Sequence, residues 1–166
     1  MVCLRRMLPA EFDAFTEYSV RDYADDLMLN QGMDAFSAAA QARREFSEML
    51  PGGVDTDGNA LMVVETGGWP VGAIWYLYEV TDGVRHAFLN DFIIAPAERR
   101  KGYASAALAE MEAEAAAQGC AEVRLYVWNG NLPGLNLYAG CGYSAFRRTD
   151  DGIYMNKKLN GGMLND

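Results

Sequence analysis

The residues best placed to do chemistry are Arg99-Arg100-Lys101-Gly102-Tyr103-Ala104. The apolar run Phe92-Ile93-Ile94 precedes them, and an alanine-rich helical pattern follows. A strand therefore runs into a tight basic turn, and the turn opens a helix. Such a junction gathers unpaired backbone N–H groups and the positive end of a helix dipole at one point. With cationic side chains beside them, the natural guest is a phosphate or pyrophosphate. The hydrolase phosphate loop G-x-x-x-x-G-K-[ST] is absent, and so is the dinucleotide pattern G-x-G-x-x-G. Without its glycine and its strand–helix setting, the same cluster would be a solvated basic patch.

These groups need a frame. Leu4 to Met7 reads as an edge strand, and Pro9 starts a helical pattern through Phe12, Phe15 and Ser19. Arg21 to Gln31 is acidic and partly helical, with a loop at Gly32. Asp34 caps a second helix that stops at Leu50-Pro51. Three strands follow, at Leu61–Thr66, Val71–Val80 and His86–Ile94. Gly67-Gly68 and Asp82-Gly83 are their hairpin turns. Gly102 to Gln118 is a helix, and Val123, Leu125 and Val127 alternate with polar or amphipathic residues as in a strand. Asn131 and Pro133 open a short helix, and a final hairpin crosses Asp150-Asp151-Gly152. The order predicts an α+β (mixed α/β) fold, with a mostly antiparallel central sheet, one parallel central pair and flanking helices. It fits a single domain over residues 1–160 and a flexible tail over 161–166.

The stretch Ile94-Ala-Pro96-Ala-Glu-Arg99-Arg100-Lys101-Gly102-Tyr103-Ala104 resembles the coenzyme A pyrophosphate loop of the GNAT superfamily of N-acyltransferases. A second stretch is Leu125-x-Val127-x-x-x-Asn131-x-x-Gly134-x-x-Leu137-Tyr138-x-x-x-Gly142-Tyr143. It is similar to the family pattern V-x-x-x-N-x-x-A-x-x-L-Y-x-x-x-G-F. Ala104 stands where the family often has glycine, Gly134 where it has alanine, and Tyr143 where it has phenylalanine. The order of hairpins and crossover also matches the family, and the likeness covers most of the chain.

The resemblance implies acetyl-CoA as cosubstrate and an amine as acceptor. It implies that backbone N–H groups from Arg99 through Arg100, Lys101, Gly102, Tyr103 and Ala104 hold the pyrophosphate. The backbone of Phe92 and Ile94 would pair with the pantetheine arm as a pseudo-strand, with Asn131 near its other side. Tyr138 would stand where the CoA thiolate departs, and a phenol of pKa ~10 is a suitable acid for it. Asn131 could equally serve only as a helix cap, and Tyr138 only as a core aromatic. The base is harder to place. Period-2 alternation back from Phe92 selects Asn90 and Phe88, neither ionisable, so Asn90 would act by holding a relay water. Asp91 would face the other side unless a bulge re-aims it. The runner-up reading is therefore a non-catalytic acyl-CoA-binding or sensing module.

A net charge of −9 argues against nucleic acid as a partner, and no apolar run reaches membrane-spanning length. Cys3, Cys120 and Cys141 are odd in number and lack C-x-x-C spacing, so neither a disulfide framework nor a metal site is expected. These features fit a cytoplasmic protein, and relatives of this type often form homodimers. The acceptor pocket would be shaped by Pro9–Leu50, Asp55–Asn59 and the final hairpin. Tyr18, Tyr23, Trp75, Tyr76 and Tyr78 are candidates to line it.

Overall fold

The computed structural model describes residues 1–160, so the expected tail at 161–166 lies outside the described residues. A seven-stranded sheet has the order β1-β2-β3-β4-β5-β7-β6. Its strands are β1 (Val2–Arg6), β2 (Asn59–Thr66), β3 (Trp69–Thr81), β4 (Val84–Ile94), β5 (Glu122–Trp128), β6 (Ser144–Arg148) and β7 (Gly152–Lys158). All neighbours are antiparallel except β4 and β5. The helices are α1 (Pro9–Gln31), α2 (Ala35–Met49), α3 (Tyr103–Ala117) and α4 (Leu132–Gly140). The expected element order is the observed one, with one change: α1 continues unbroken through the acidic stretch to Gln31. None of the described helices is long and apolar enough to cross a membrane.

α3 crosses one face of the sheet. Its Ala107, Leu108, Met111 and Ala115 are fully buried against Ile74, Tyr76, Leu89, Val123 and Leu125. Two polar ties fix its height. Glu114 accepts from the Tyr76 hydroxyl at 2.6 Å, and Glu112 accepts from Tyr143 and from Lys157 at 3.0 and 2.7 Å. Buried charge-assisted bonds of this kind set position as well as energy. The other face carries α1 and α2, packed through Phe15 and Phe46 onto Leu61, Val63 and Trp75. The Asp34 carboxylate caps α2 through the Ser37 N–H, as its spacing predicts. Beyond Trp75, α1 and α2 leave part of this face uncovered, and the space becomes a pocket.

Candidate active site

The parallel β4–β5 ladder is short. It runs from His86 opposite Glu122 to Leu89 opposite Leu125. Beyond that point β4 continues to Ile94 and β5 to Trp128, with no pairing between them. On its other side β4 stays attached to β3, and Ala95 N–H donates to Val71 O at 2.9 Å. Counting back in twos from Ala95, Ile93 and Asp91 face β3, so Phe92 and Ile94 turn their backbone groups toward the gap. The fork leaves an open ladder edge in the middle of a sheet, where an extended amide chain fits as an added strand.

The basic loop adjoins this fork, since Arg99 Nε donates to Ile94 O at 3.0 Å. Arg100 and Gly102 have positive φ, 65° and 82°. Gly102 is the N-cap of α3 and has no side-chain cap bond. The first intrahelical bond is Ala106 N–H to Gly102 O, at 3.2 Å. The N–H groups of Tyr103, Ala104 and Ser105 therefore have no carbonyl one turn back. A Cβ at Gly102 would point into open space, so positive φ is what demands glycine there. Lys101 pairs with Glu98 at 2.9 Å. The arrangement suits the pyrophosphate of CoA: free donors, a helix dipole and cations converge beside the strand edge.

The middle of β4 departs from alternation. Trp75 pairs with Asp91 while Tyr76 pairs with Leu89, so Asn90 is an extra residue without a partner on β3. This β-bulge breaks the period-2 phase. Leu89 and Phe92 both pack toward the α3 core. Asn90 and Asp91 both line the cleft and the adjoining pocket under α1 and α2. Burial raises the Asp91 carboxyl to about 6, and the Asp22 carboxylate adds to the rise. The Ser19 hydroxyl, beside Asp91, opposes it. Alternation alone selects Asn90; the bulge brings its ionisable neighbour to the same place.

Tyr138 and Asn131 form the opposite wall. Tyr138 is half-buried, with its ring edge-on to Tyr143 at 5.8 Å. It shares the cleft with Asn90, Asp91, Phe92 and Asn131. Burial holds its phenol well above the ordinary value, and the Asp91 carboxylate pushes the same way. Asn131 caps α4, accepting from Gly134 N–H at 3.0 Å. A Cβ at position 134 would stand 2.6 Å from Asn131 Nδ2, so the glycine and the cap go together.

Other groups were not selected by the sequence patterns. Asp22 and Asp26 on α1 reach both the cleft and the pocket, which Glu45 of α2 and Tyr126 and Trp128 of β5 also line. Their only sequence signal was the i, i+4 pairing of the two aspartates on one helix face. Among the expected acceptor aromatics, Tyr23 lines the pocket, whereas Trp75 and Tyr76 are fully buried core residues. The final hairpin lines a neighbouring groove through Phe146, Arg147 and Tyr154.

The acetyltransferase (GNAT) family profile matches residues 15–143, most of the chain, and the chain belongs to that family. It is an N-acetyltransferase with acetyl-CoA as cosubstrate. YycN of Bacillus subtilis (strain 168), an uncharacterised N-acetyltransferase, is 28% identical over 159 residues, covering 95% of this chain and 99% of its own. The crystal structure of YycN superimposes with a TM-score of 0.85 at 25% identity, over 90% of this chain and 96% of that one. PaiA N-acetyltransferase from Thermoplasma acidophilum, solved in complex with coenzyme A, shares the fold. Its TM-score is 0.70 at 16% identity, over 95% of this chain and 99% of that one.

Proposed function

We propose that this enzyme acetylates a primary amine by direct attack, with Asp91 as the base and Tyr138 as the donor to the departing sulfur. One observation carries the reading: beyond Leu89 and Leu125 the two central strands part, and Asp91 and Tyr138 flank the opening. Bound acetyl-CoA would supply an activated acyl carbon and a thiolate leaving group. Gly102, Tyr103, Ala104 and Ser105 would hold its pyrophosphate through backbone N–H groups, with Arg99, Arg100 and Lys101 around them. Phe92 and Ile94 would orient the arm, and the Asn131 amide would approach it from the far side.

Asp91 takes a proton from the acceptor ammonium, directly or through a water held by Asn90. The freed amine forms the new C–N bond as the C–S bond breaks. Tyr138 gives its hydroxyl proton, or a strong hydrogen bond, to the leaving sulfur. The second amine proton is passed by way of solvent to restore Tyr138, and Asp91 releases the first to solvent, so one proton is freed per turnover. Most of the acceleration comes from positioning two reactants, and the proton transfers add to it. The case for a non-catalytic module rested on the want of a base, and Asp91 at the cleft removes it.

The test is a panel of amines with acetyl-CoA and a free-thiol readout, run on the parent and on Asp91→Asn. Turnover that collapses in the variant while acetyl-CoA still binds supports the reading. Undiminished turnover refutes Asp91 as base.

A further inference from the structure

The pocket beside the cleft has a volume of about 280 Å³ and an unusual charge balance. Asp22 and Asp26, one turn apart on α1, line it with Asp91 of β4 and Glu45 of α2. None of these four carboxylates is in an ion pair among the described residues, although ion pairs occur elsewhere in the fold. Arg99 offsets Asp22 only through space. A second observation is independent of charge. Ser19, 1% exposed, lines the same pocket; its Oγ meets no partner at good hydrogen-bond geometry and leans only on the nearby Asp91 carboxyl, which it lowers. A buried hydroxyl so poorly partnered is one that a polar ligand atom can complete. Tyr23, Phe88, Tyr126 and Trp128 supply aromatic faces around the acids, which suit both methylene chains and cations.

The adjoining groove is more basic, with Glu79 and His86 beside two arginines. It shares Met49, Phe88 and Asn90 with the pocket and contains Arg124 and Arg147. Arg124 is paired with Glu122, whereas Arg147 lies over the Tyr154 ring at 4.3 Å and has no carboxylate partner among the described residues. With Glu79 the one carboxylate lining it and Arg147 unpaired among the described residues, the groove attracts a cationic tail less than the α1 acids do.

We infer that the acceptor is a linear amine with at least one further ammonium group, the distal charge being held by Asp22 and Asp26. The inference rests on the proposed reaction at Asp91 and names the substrate class for that site. The reacting nitrogen faces Asp91 and Ser19, the methylene chain lies along the aromatic faces, and the second ammonium reaches the α1 carboxylates. Burial, with repulsion from Asp22 added, raises Asp26 to about 6; burial, with repulsion from Asp25 added, raises Asp22 against the pull of Arg99. A bound dication relieves that repulsion.

The experiment compares kcat/KM for putrescine, n-butylamine and γ-aminobutyrate, which share a four-carbon chain and differ at its far end. Putrescine should exceed n-butylamine by about tenfold or more, the scale of a charge-assisted hydrogen bond. In Asp22→Asn/Asp26→Asn that preference should shrink toward parity, and Asp22→Glu/Asp26→Glu should restore part of it. Putrescine binding to the CoA-loaded protein, measured by calorimetry, should weaken in the Asn variant by a similar factor. Equal turnover of putrescine and n-butylamine overturns the substrate class but leaves the reaction standing. A preference for γ-aminobutyrate overturns it too and assigns the specificity to Arg124 and Arg147. If no amine is acetylated although acetyl-CoA binds, the underlying reaction fails as well.

Discussion

The phenol of Tyr138, held protonated first by burial, is held more firmly by the carboxylate of Asp91 across the same cleft. This link has a direction. A phenol so reluctant to ionise gives up its proton to a thiolate only with difficulty, since thiols titrate near pH 8.5. In the proposed reaction Asp91 would lose its charge on taking up the acceptor's proton, and its push on Tyr138 would disappear. Deprotonation of the acceptor would therefore make Tyr138 a better acid at the moment a leaving group forms.

Tyr138→Phe keeps the ring against Tyr143 and removes only the hydroxyl. General acid catalysis contributes ~10²–10⁴-fold. We expect kcat to fall toward the low end of that range, because a thiolate leaves readily, with acetyl-CoA affinity nearly unchanged. Single-turnover kinetics with circular dichroism of the variant make the measurement. An unchanged chemical step would leave Tyr138 as a packing residue.

Asp91 acts as a base only when ionised. Its carboxyl sits at about 6, raised by burial and by Asp22 of α1 and opposed by Ser19, with Tyr138 facing it from α4. The rate of the parent should rise with pH through that value. Asp22→Asn should move the rise to lower pH, and Asp91→Asn should abolish it. A pH profile identical in parent and Asp91→Asn would assign the titration to another group.

The α1 acids should oppose folding. Asp26 has its carboxyl raised to about 6, chiefly by burial and then by Asp22. Between the unfolded value near 3.9 and that raised value the native state binds more protons than the unfolded chain, so stability falls as pH rises. Asp26→Asn should melt above the parent at neutral pH, and the difference should close below about pH 4. Thermal melts at the two pH values decide it. A variant that melts below the parent at neutral pH would show that Asp26 contributes to stability.

Gly134→Ala sets a Cβ against the Asn131 amide, 2.6 Å from Nδ2. The side chain must swing away and its bond to Gly134 N–H is lost. Loss of an N-cap costs about 1 kcal/mol, and a chain of this size should melt about 2–4 °C lower. The amide would then be free to face the cleft. An unaltered melting temperature would mean that the cap contributes nothing.

Gly102→Asp places a charged side chain where φ is 82° and where the N–H donors gather. Acetyl-CoA at about a hundred times its dissociation constant should stabilise the parent by ~2.7 kcal/mol. The variant should fold, with a penalty of roughly 1 kcal/mol for left-handed backbone, and lose that ligand-induced shift. Equal affinity by calorimetry would remove the loop from the pyrophosphate site.

The basic loop and the short helix at Asn131 were legible because their signals are local. Glycine at a strand–helix junction, an asparagine before Pro133 and the hairpin dipeptides each act within a few residues. The parallel pair could also be anticipated, since a helix crosses over between β4 and β5. Asp91 could not be placed by alternation, because a bulge depends on what the partner strand does opposite it. The acids at 22 and 26 gave no strand or loop signature; they matter because α1 runs unbroken past the cleft, a fact of tertiary packing. Trp75 and Tyr76, plausible as pocket aromatics from their types, belong to the core because β3 is covered on both faces.

The extra residue in β4 is also a trapped misfit. At one end the two-residue turn Asp82-Gly83 locks β3 to β4 from Thr81 opposite Val84 onward. At the other, Gly72 opposite Ile94 and the Ala95–Val71 bond lock them again. Neither strand can slip to expel the surplus, and moving the kink would turn core residues such as Leu89 or Ile93 to the wrong face of the sheet. Like a dislocation pinned by its surroundings, it stays at Asn90, and Asp91 is held at the fork by the sheet's own counting error.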